Sequence, residues 1–193
     1  IINFVLAGHP VKTNHRLRPL AEKATADDPS KRYQDAAELL NAIRRKLALL
    51  ADADREANLA DKATRGILDE DVTEWVLEMT DEQLCTRIVS IPTFANTVAE
   101  FARLDSTNAS FVMDAIDQGM IQACKTWGDH DAFADIAEAI VLSKATFDIK
   151  ERACQTLSYI AWTVGRFHAQ HLIEGMVAAG IDPMLEDLLS APA

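Results

Sequence analysis

From Ala36 to Leu50 the apolar residues fall at Ala36, Leu39, Leu40, Ile43, Leu47 and Leu50. That spacing of three or four is the one-sided stripe of an amphipathic helix. The alternation of β-branched and polar residues that would mark half-buried strands is almost absent. Glycine is scarce, with seven in 193 residues, while alanine and leucine abound. The chain therefore reads as all-α, built from antiparallel helix pairs with short connections.

The punctuation before that stripe is equally specific. Asp28-Pro29 ends what precedes it, because a residue before proline is pushed out of the helical region. Proline also suits the first position of a new turn. Asp35 can cap the following helix, and Glu38 sits three residues on, the capping-box spacing with Asp in place of Ser or Thr. The helix is expected to reach Leu50 and to extend as far as Arg65, where Gly66 supplies a stop. Upstream, residues 1–7 read as the end of a buried helix broken by Gly8-His9-Pro10. Asn14 is placed to cap a helix from His15 to Thr25, with Leu17, Leu20, Ala21 and Ala24 on one face.

The residues Asp28, Pro29, Arg32, Tyr33, Ala36, Glu38 and Leu39 together form the pattern Asp-Pro-x-x-Arg-Tyr-x-x-Ala-x-Glu-Leu. This resembles the C-terminal end of bacterial serine/threonine protein kinase domains, between the last two helices of the C-lobe. Leu6-Ala7-Gly8-His9-Pro10 is similar to the Leu-x-Gly-x-Pro that follows the central buried helix of that family. The resemblance covers residues 1–45. It implies that Asp28, Pro29, Arg32, Tyr33 and Glu38 are a structural motif, the arginine pairing in the family with a buried glutamate. The spacing from Pro10 to Asp28 is short for the family. The glycine-rich phosphate loop, the Val-Ala-x-Lys strand, the His-Arg-Asp loop and Asp-Phe-Gly are missing, and those parts perform phosphoryl transfer. The chain itself is thus expected to have no catalytic and no cofactor-binding residues.

Charge divides the sequence. Residues 1–50 hold nine Lys/Arg against five Asp/Glu, and residues 51–193 hold ten against twenty-five, within a total of −11. The expected organisation is a kinase C-lobe remnant at 1–50, a helical linker at 51–66 and an acidic helical module at 67–193. The acidic balance argues against nucleic acid, which calls for clustered basic side chains. Cys85, Cys124 and Cys154 are odd in number and widely spaced, so neither a disulfide framework nor a zinc knuckle is indicated. Buried free thiols point to a reducing, cytoplasmic setting. The apolar opening Ile1–Ala7 is too short to span a bilayer, and no other segment reaches that length without charges.

Beyond Asp69 the pattern predicts helices over 70–79, 81–90, 93–104, 107–126, 130–143, 147–167, 169–179 and 183–190. Thr80 with Gln83 has capping-box spacing, and Asp182-Pro183 repeats the cap-then-proline start of Asp28-Pro29. Ala123-Cys124-Lys125-Thr126 is echoed thirty residues later by Ala153-Cys154-Gln155-Thr156. Offsets in the thirties suit two-helix repeats. The second half resembles HEAT or armadillo repeats, so either a HEAT-like right-handed array or an irregular bundle is expected.

Three groups of residues invite chemistry. His168, His171 and Glu174 lie at i, i+3 and i+6, but one helix face cannot supply a converging zinc site, so no metal site is expected. Asp129-His130-Asp131 reads as helix capping, and Arg44-Arg45-Lys46 as a solvated face. The aromatics Trp75, Trp127, Trp162, Phe94, Phe101, Phe111, Phe133, Phe147, Tyr159 and Phe167 read as inter-helix core. The expected function is that of a non-catalytic C-terminal region of a kinase-like protein. Its helical module would regulate the parent kinase domain or recruit protein partners. The alternative is a stand-alone α-helical adaptor in which the kinase similarity is coincidental.

Overall fold

The computed structural model of the chain describes residues 18–51, 55–91 and 93–190. Eleven α-helices and no strand occur among the described residues, so the fold is all-α. They are α1 (Arg18–Thr25), α2 (Ala36–Ala51), α3 (Arg55–Thr64), α4 (Glu70–Glu78), α5 (Asp81–Ser90) and α6 (Phe94–Leu104). There follow α7 (Ser106–Ala123), α8 (Asp129–Val141), α9 (Phe147–Ser158), α10 (Phe167–Ala179) and α11 (Pro183–Leu189). A 3-10 turn at Pro29–Lys31 separates α1 from α2, and a π-helical turn at Tyr159–Thr163 continues α9. The expected readings of residues 1–17, including the Asn14 cap and the Gly8-His9-Pro10 break, lie outside the described residues, as do 52–54 in the expected linker.

The helix ends follow from side-chain chemistry. Asp69 accepts from the Val72 amide, Asp105 from Asn108 and Asp182 from Met184, each satisfying a donor that the first helical turn leaves open. Gly66 closes the turn after α3 at φ +72°, and Gly180 ends α10 at φ +80°, the left-handed conformation a glycine adopts without strain.

Two compact units emerge. The first comprises the described residues up to Lys62 together with Asp69–Thr80, and the second comprises Ala63–Leu68 with the residues from Asp81 onward. Helix α4, placed by charge with the acidic module beyond residue 67, thus packs with the N-terminal residues. In the first unit α1 packs on α2 and α4, and Leu20, Leu59, Val72, Trp75 and Val76 are buried.

In the second unit each helix packs on the helix two further along the chain. Helices α5, α7, α9 and α11 form one row by successive contacts, and α6, α8 and α10 form another. Sequence-adjacent pairs α6–α7 and α8–α9 join the rows. Phe94, Phe101, Phe133, Ile136, Leu157 and Ile160 are sealed between them. Gly119 makes the α5–α7 crossing possible. A Cβ there would lie 3.0 Å from both the Asp81 carbonyl oxygen and the Cys85 sulfur, closer than packed atoms tolerate. The Cys85 thiol itself donates to the Ala115 carbonyl at 3.2 Å, and burial pushes it up to about 12.

Candidate functional site

The turn that carries the kinase-like pattern is self-contained. Asp28 accepts from the Ser30 amide at 2.9 Å and the Ser30 hydroxyl at 2.8 Å, bonds that hold its carboxyl below the usual range, and Pro29 opens the 3-10 turn. Arg32 donates from Nε to the Ala26 carbonyl at 2.6 Å and from Nη2 to the Asp27 carbonyl at 3.2 Å. Among the described residues its bonds are therefore local, to backbone acceptors and not to a carboxylate. Asp35 accepts from the Glu38 amide at 2.7 Å, as the capping spacing predicts, while Glu38 accepts from the Gln34 amide at 2.7 Å and pairs with Lys23 at 3.3 Å. Lys23 also sits 4.7 Å from the Tyr33 ring centre, a cation–π contact. Burial, then the carboxylates of Glu74 and Glu38, push the Tyr33 hydroxyl up to about 12. Tyr33, Arg32, Asp35, Ala24 and Leu39 line a surface depression between α1 and α2.

A denser cluster lies deeper in the same unit. Lys46, only 1 % exposed, is held by Glu74 at 3.3 Å and by Glu78. Arg55 reaches Glu78 at 3.0 Å, and Arg45 forks onto Glu70 at 2.8 and 3.0 Å while its Nη2 also approaches Glu74. That fork holds the Glu70 carboxyl below its ordinary range. The Arg44-Arg45-Lys46 run is thus not a solvated face throughout: Arg44 and Arg45 are exposed, but Lys46 points inward. The signal that could have revealed this was Glu70, Glu74 and Glu78 at i, i+4 and i+8. That spacing stacks three carboxylates on one stripe of α4. Three cations answer three carboxylates, so the cluster has no surplus charge for a ligand and reads as cohesion.

The second unit places its polar groups as rungs between alternate helices. Arg152 on α9 binds Asp114 at 2.8 Å and Asp117 at 2.6 Å on α7. Arg166 forks onto Asp131 of α8 at 2.9 and 2.5 Å, and His168 Nε2 lies 2.6 Å from Asp135. The linked residues stand 33 to 38 apart in sequence. Glu138 on the same helix carries a raised carboxyl, first because it is partly buried and next because Asp135 is near, with Arg103 and His168 opposing.

Several sequence expectations change here. Asp129 is no cap for α8. It reaches back to accept from the Lys125 and Thr126 amides at 2.7 and 2.8 Å and so closes the preceding loop. Asp131 is an ion-pair partner. Among the described residues no three His, Cys, Asp or Glu groups converge as a metal site, and His168 pairs with Asp135 while His171 and Glu174 are exposed. The aromatic set divides. Trp75, Phe94, Phe101, Phe111 and Phe133 are core, and Phe101 meets Phe111 edge to face at 6.2 Å. Trp162 is half-buried and donates to the Leu189 carbonyl at 2.9 Å. Trp127 is 74 % exposed, Phe167 75 %, and Phe147 also lies open. Helical spacing suggests burial for all of them, but Trp127 stands in a turn and Phe147 and Phe167 open their helices, where that spacing does not decide which way a side chain faces.

All three cysteines are free, with Cys85 and Cys154 buried. No helix among the described residues is long and apolar enough to cross a membrane. Comparison with family profiles, with curated proteins and with solved structures yields no match.

Proposed function

We propose that the chain is a non-catalytic, partner-binding helical region that follows the last helices of a serine/threonine kinase-like domain. The second unit is the binding scaffold, a HEAT-like array. The observation that carries the scaffold reading is the stacking of alternate helices, with rungs at intervals of 33 to 38 residues. Two-helix repeats stacked in this way build extended surfaces, which such proteins use to hold other proteins. The kinase parentage is supported by the Asp28–Leu39 pattern and by the capped turn into α2. In this reading the array regulates the kinase domain or recruits partners to it in the cytoplasm.

A specific observation favours the second reading, a stand-alone helical adaptor. Arg32 bonds to backbone carbonyls of its own turn, where the kinase family has a glutamate. One experiment separates the two. The full-length parent is expressed with and without residues 81–193, a cut that leaves α4 and its glutamates with Lys46. Phosphate transfer from labelled ATP and the set of co-purifying proteins are then compared. The kinase-linked reading expects transfer in the parent and a change in transfer or in bound partners on deletion. No transfer in the parent leaves the adaptor, and identical behaviour of both forms contradicts a regulatory or recruiting array.

A further inference from the structure

One end of the array displays two aromatic side chains that the core does not use. Trp127 stands in the α7–α8 turn and Phe167 opens α10, immediately after the α9–α10 turn. These turns are neighbours, because Arg166, adjacent to Phe167, forks onto Asp131, one helical turn beyond Trp127. Ile121, near the end of α7 and 65 % exposed, adds an aliphatic group on the approach to the same turn.

The backbone beneath them is fixed. Asp129 staples the first turn through the Lys125 and Thr126 amides and the Thr126 hydroxyl at 2.8 Å. The second turn is shaped by the π-helical segment, where the Val164 amide donates to the Tyr159 carbonyl, and by Gly165 at φ +78°. Gln170 ties α10 back to the Ala161 carbonyl at 2.9 Å. Turns of π-helix recur at functional sites. Three residues beyond Trp127, the Nδ1 atom of His130 is buried with no hydrogen-bond partner among the described residues. Exposed aromatics on a rigid edge lose little freedom on binding, which is why Trp side chains anchor protein interfaces.

Charge selects the occupant. The second unit carries eight Lys and Arg residues against sixteen Asp and Glu. At this edge Arg166 is paired with Asp131, while Lys125, bonded to the neutral Gln122 carbonyl at 2.6 Å, keeps its charge, so the acidic excess is that of the unit as a whole. Asp129 is held below the usual carboxyl range by neutral donors and so stays charged. A field of that sign draws cations and repels acidic segments.

We infer that the edge formed by Trp127 and Phe167 docks a short basic segment of a partner protein through apolar side chains interleaved with Lys or Arg. This rests on reading the second unit as a partner-binding array and names the partner's chemistry and its place.

The test is a titration of the whole nitrogen-labelled chain with a short amphipathic peptide of leucine and lysine, and separately with its leucine–glutamate counterpart. The three indole N–H signals of Trp75, Trp127 and Trp162 report, with Trp127 assigned from Trp127→Phe. Expected is a saturable shift of the Trp127 signal alone with the basic peptide, weakening as salt rises. Affinity should fall on the order of tenfold in Trp127→Ala/Phe167→Ala, which removes no charge. Unmoved Trp75 and Trp162 signals in that variant verify that it remains folded. A motionless Trp127 signal, an equal response to the acidic peptide, or unchanged affinity in the double variant would overturn the inference. A silent Trp127 alongside an effective deletion of 81–193 rejects this edge but keeps the array. A responsive Trp127 alongside a silent deletion does the reverse.

Discussion

The first unit encloses part of its charge in a buried cluster, and the second keeps its ion pairs near the surface. Around α4 a lysine with 1 % exposure is enclosed by two carboxylates, with Arg55 adding a further buried cation on Glu78. Along α7 to α10 the ion pairs join partly exposed side chains within each row, while the interior between the rows is almost wholly apolar. Both arrangements set cations against carboxylates, although Arg55 Nε and Nη2 in the first are buried without a hydrogen-bond partner among the described residues, and the two answer differently to change. A buried pair is weak evidence of stability as a pair, but removing one partner leaves an uncompensated charge out of water. An exposed pair is screened and contributes little. What lies between the second unit's helices is contact area, which depends on shape.

The largest expected effect comes from breaking the enclosed cluster. Glu78→Ala strands Arg55 and leaves Lys46 with Glu74 alone, and should destabilise by about 3–5 kcal/mol in urea unfolding. An effect below that of a surface substitution would mean the cluster is hydrated. Next comes a shape change in the second unit. Gly119→Ala forces the α5–α7 crossing apart against a backbone carbonyl and should cost about 1–3 kcal/mol. A neutral result would show that the rows slide freely.

Smaller effects sharpen the contrast. Asp131→Asn unpairs Arg166 in a partly exposed rung and should lower stability less than Gly119→Ala does, an effect that added salt reduces in the parent. Smallest is a gain. The Glu138 carboxyl is raised in the folded protein, so its ionised form is less favourable there than in the unfolded chain. The parent therefore loses stability as pH rises through that raised value. Glu138→Gln should stabilise by less than about 1 kcal/mol at neutral pH and by nothing once both states are protonated. Melting curves at the two pH values check the sign.

Much of this architecture can be read in the residues. Apolar spacing, acidic caps and the glycine and proline stops locate the helices from Glu70 to Leu189 within a few residues, because each of those signals acts locally. Lys46 escapes such reading, since helix periodicity treats lysine as an outward residue, and only the carboxylate stripe on a distant helix reverses it. Trp127 and Phe167 escape for the converse reason. Their apolar character suggests burial, whereas their positions at turns leave them nothing to pack against. The charge division and the Gly66 stop together group α4 with the acidic module, although its glutamates answer cations on α2 and α3. Local patterns describe elements well, and the pairing of elements depends on partners far along the chain.

Residue-resolved amide hydrogen exchange on Lys46→Ala probes the central contrast most directly. The account predicts that protection collapses across Arg18–Thr25, Ala36–Ala51 and Glu70–Glu78, while Phe94–Leu104, Asp129–Val141 and Phe147–Ser158 exchange as in the parent. Equal loss of protection in both sets, or none in the first, would contradict it.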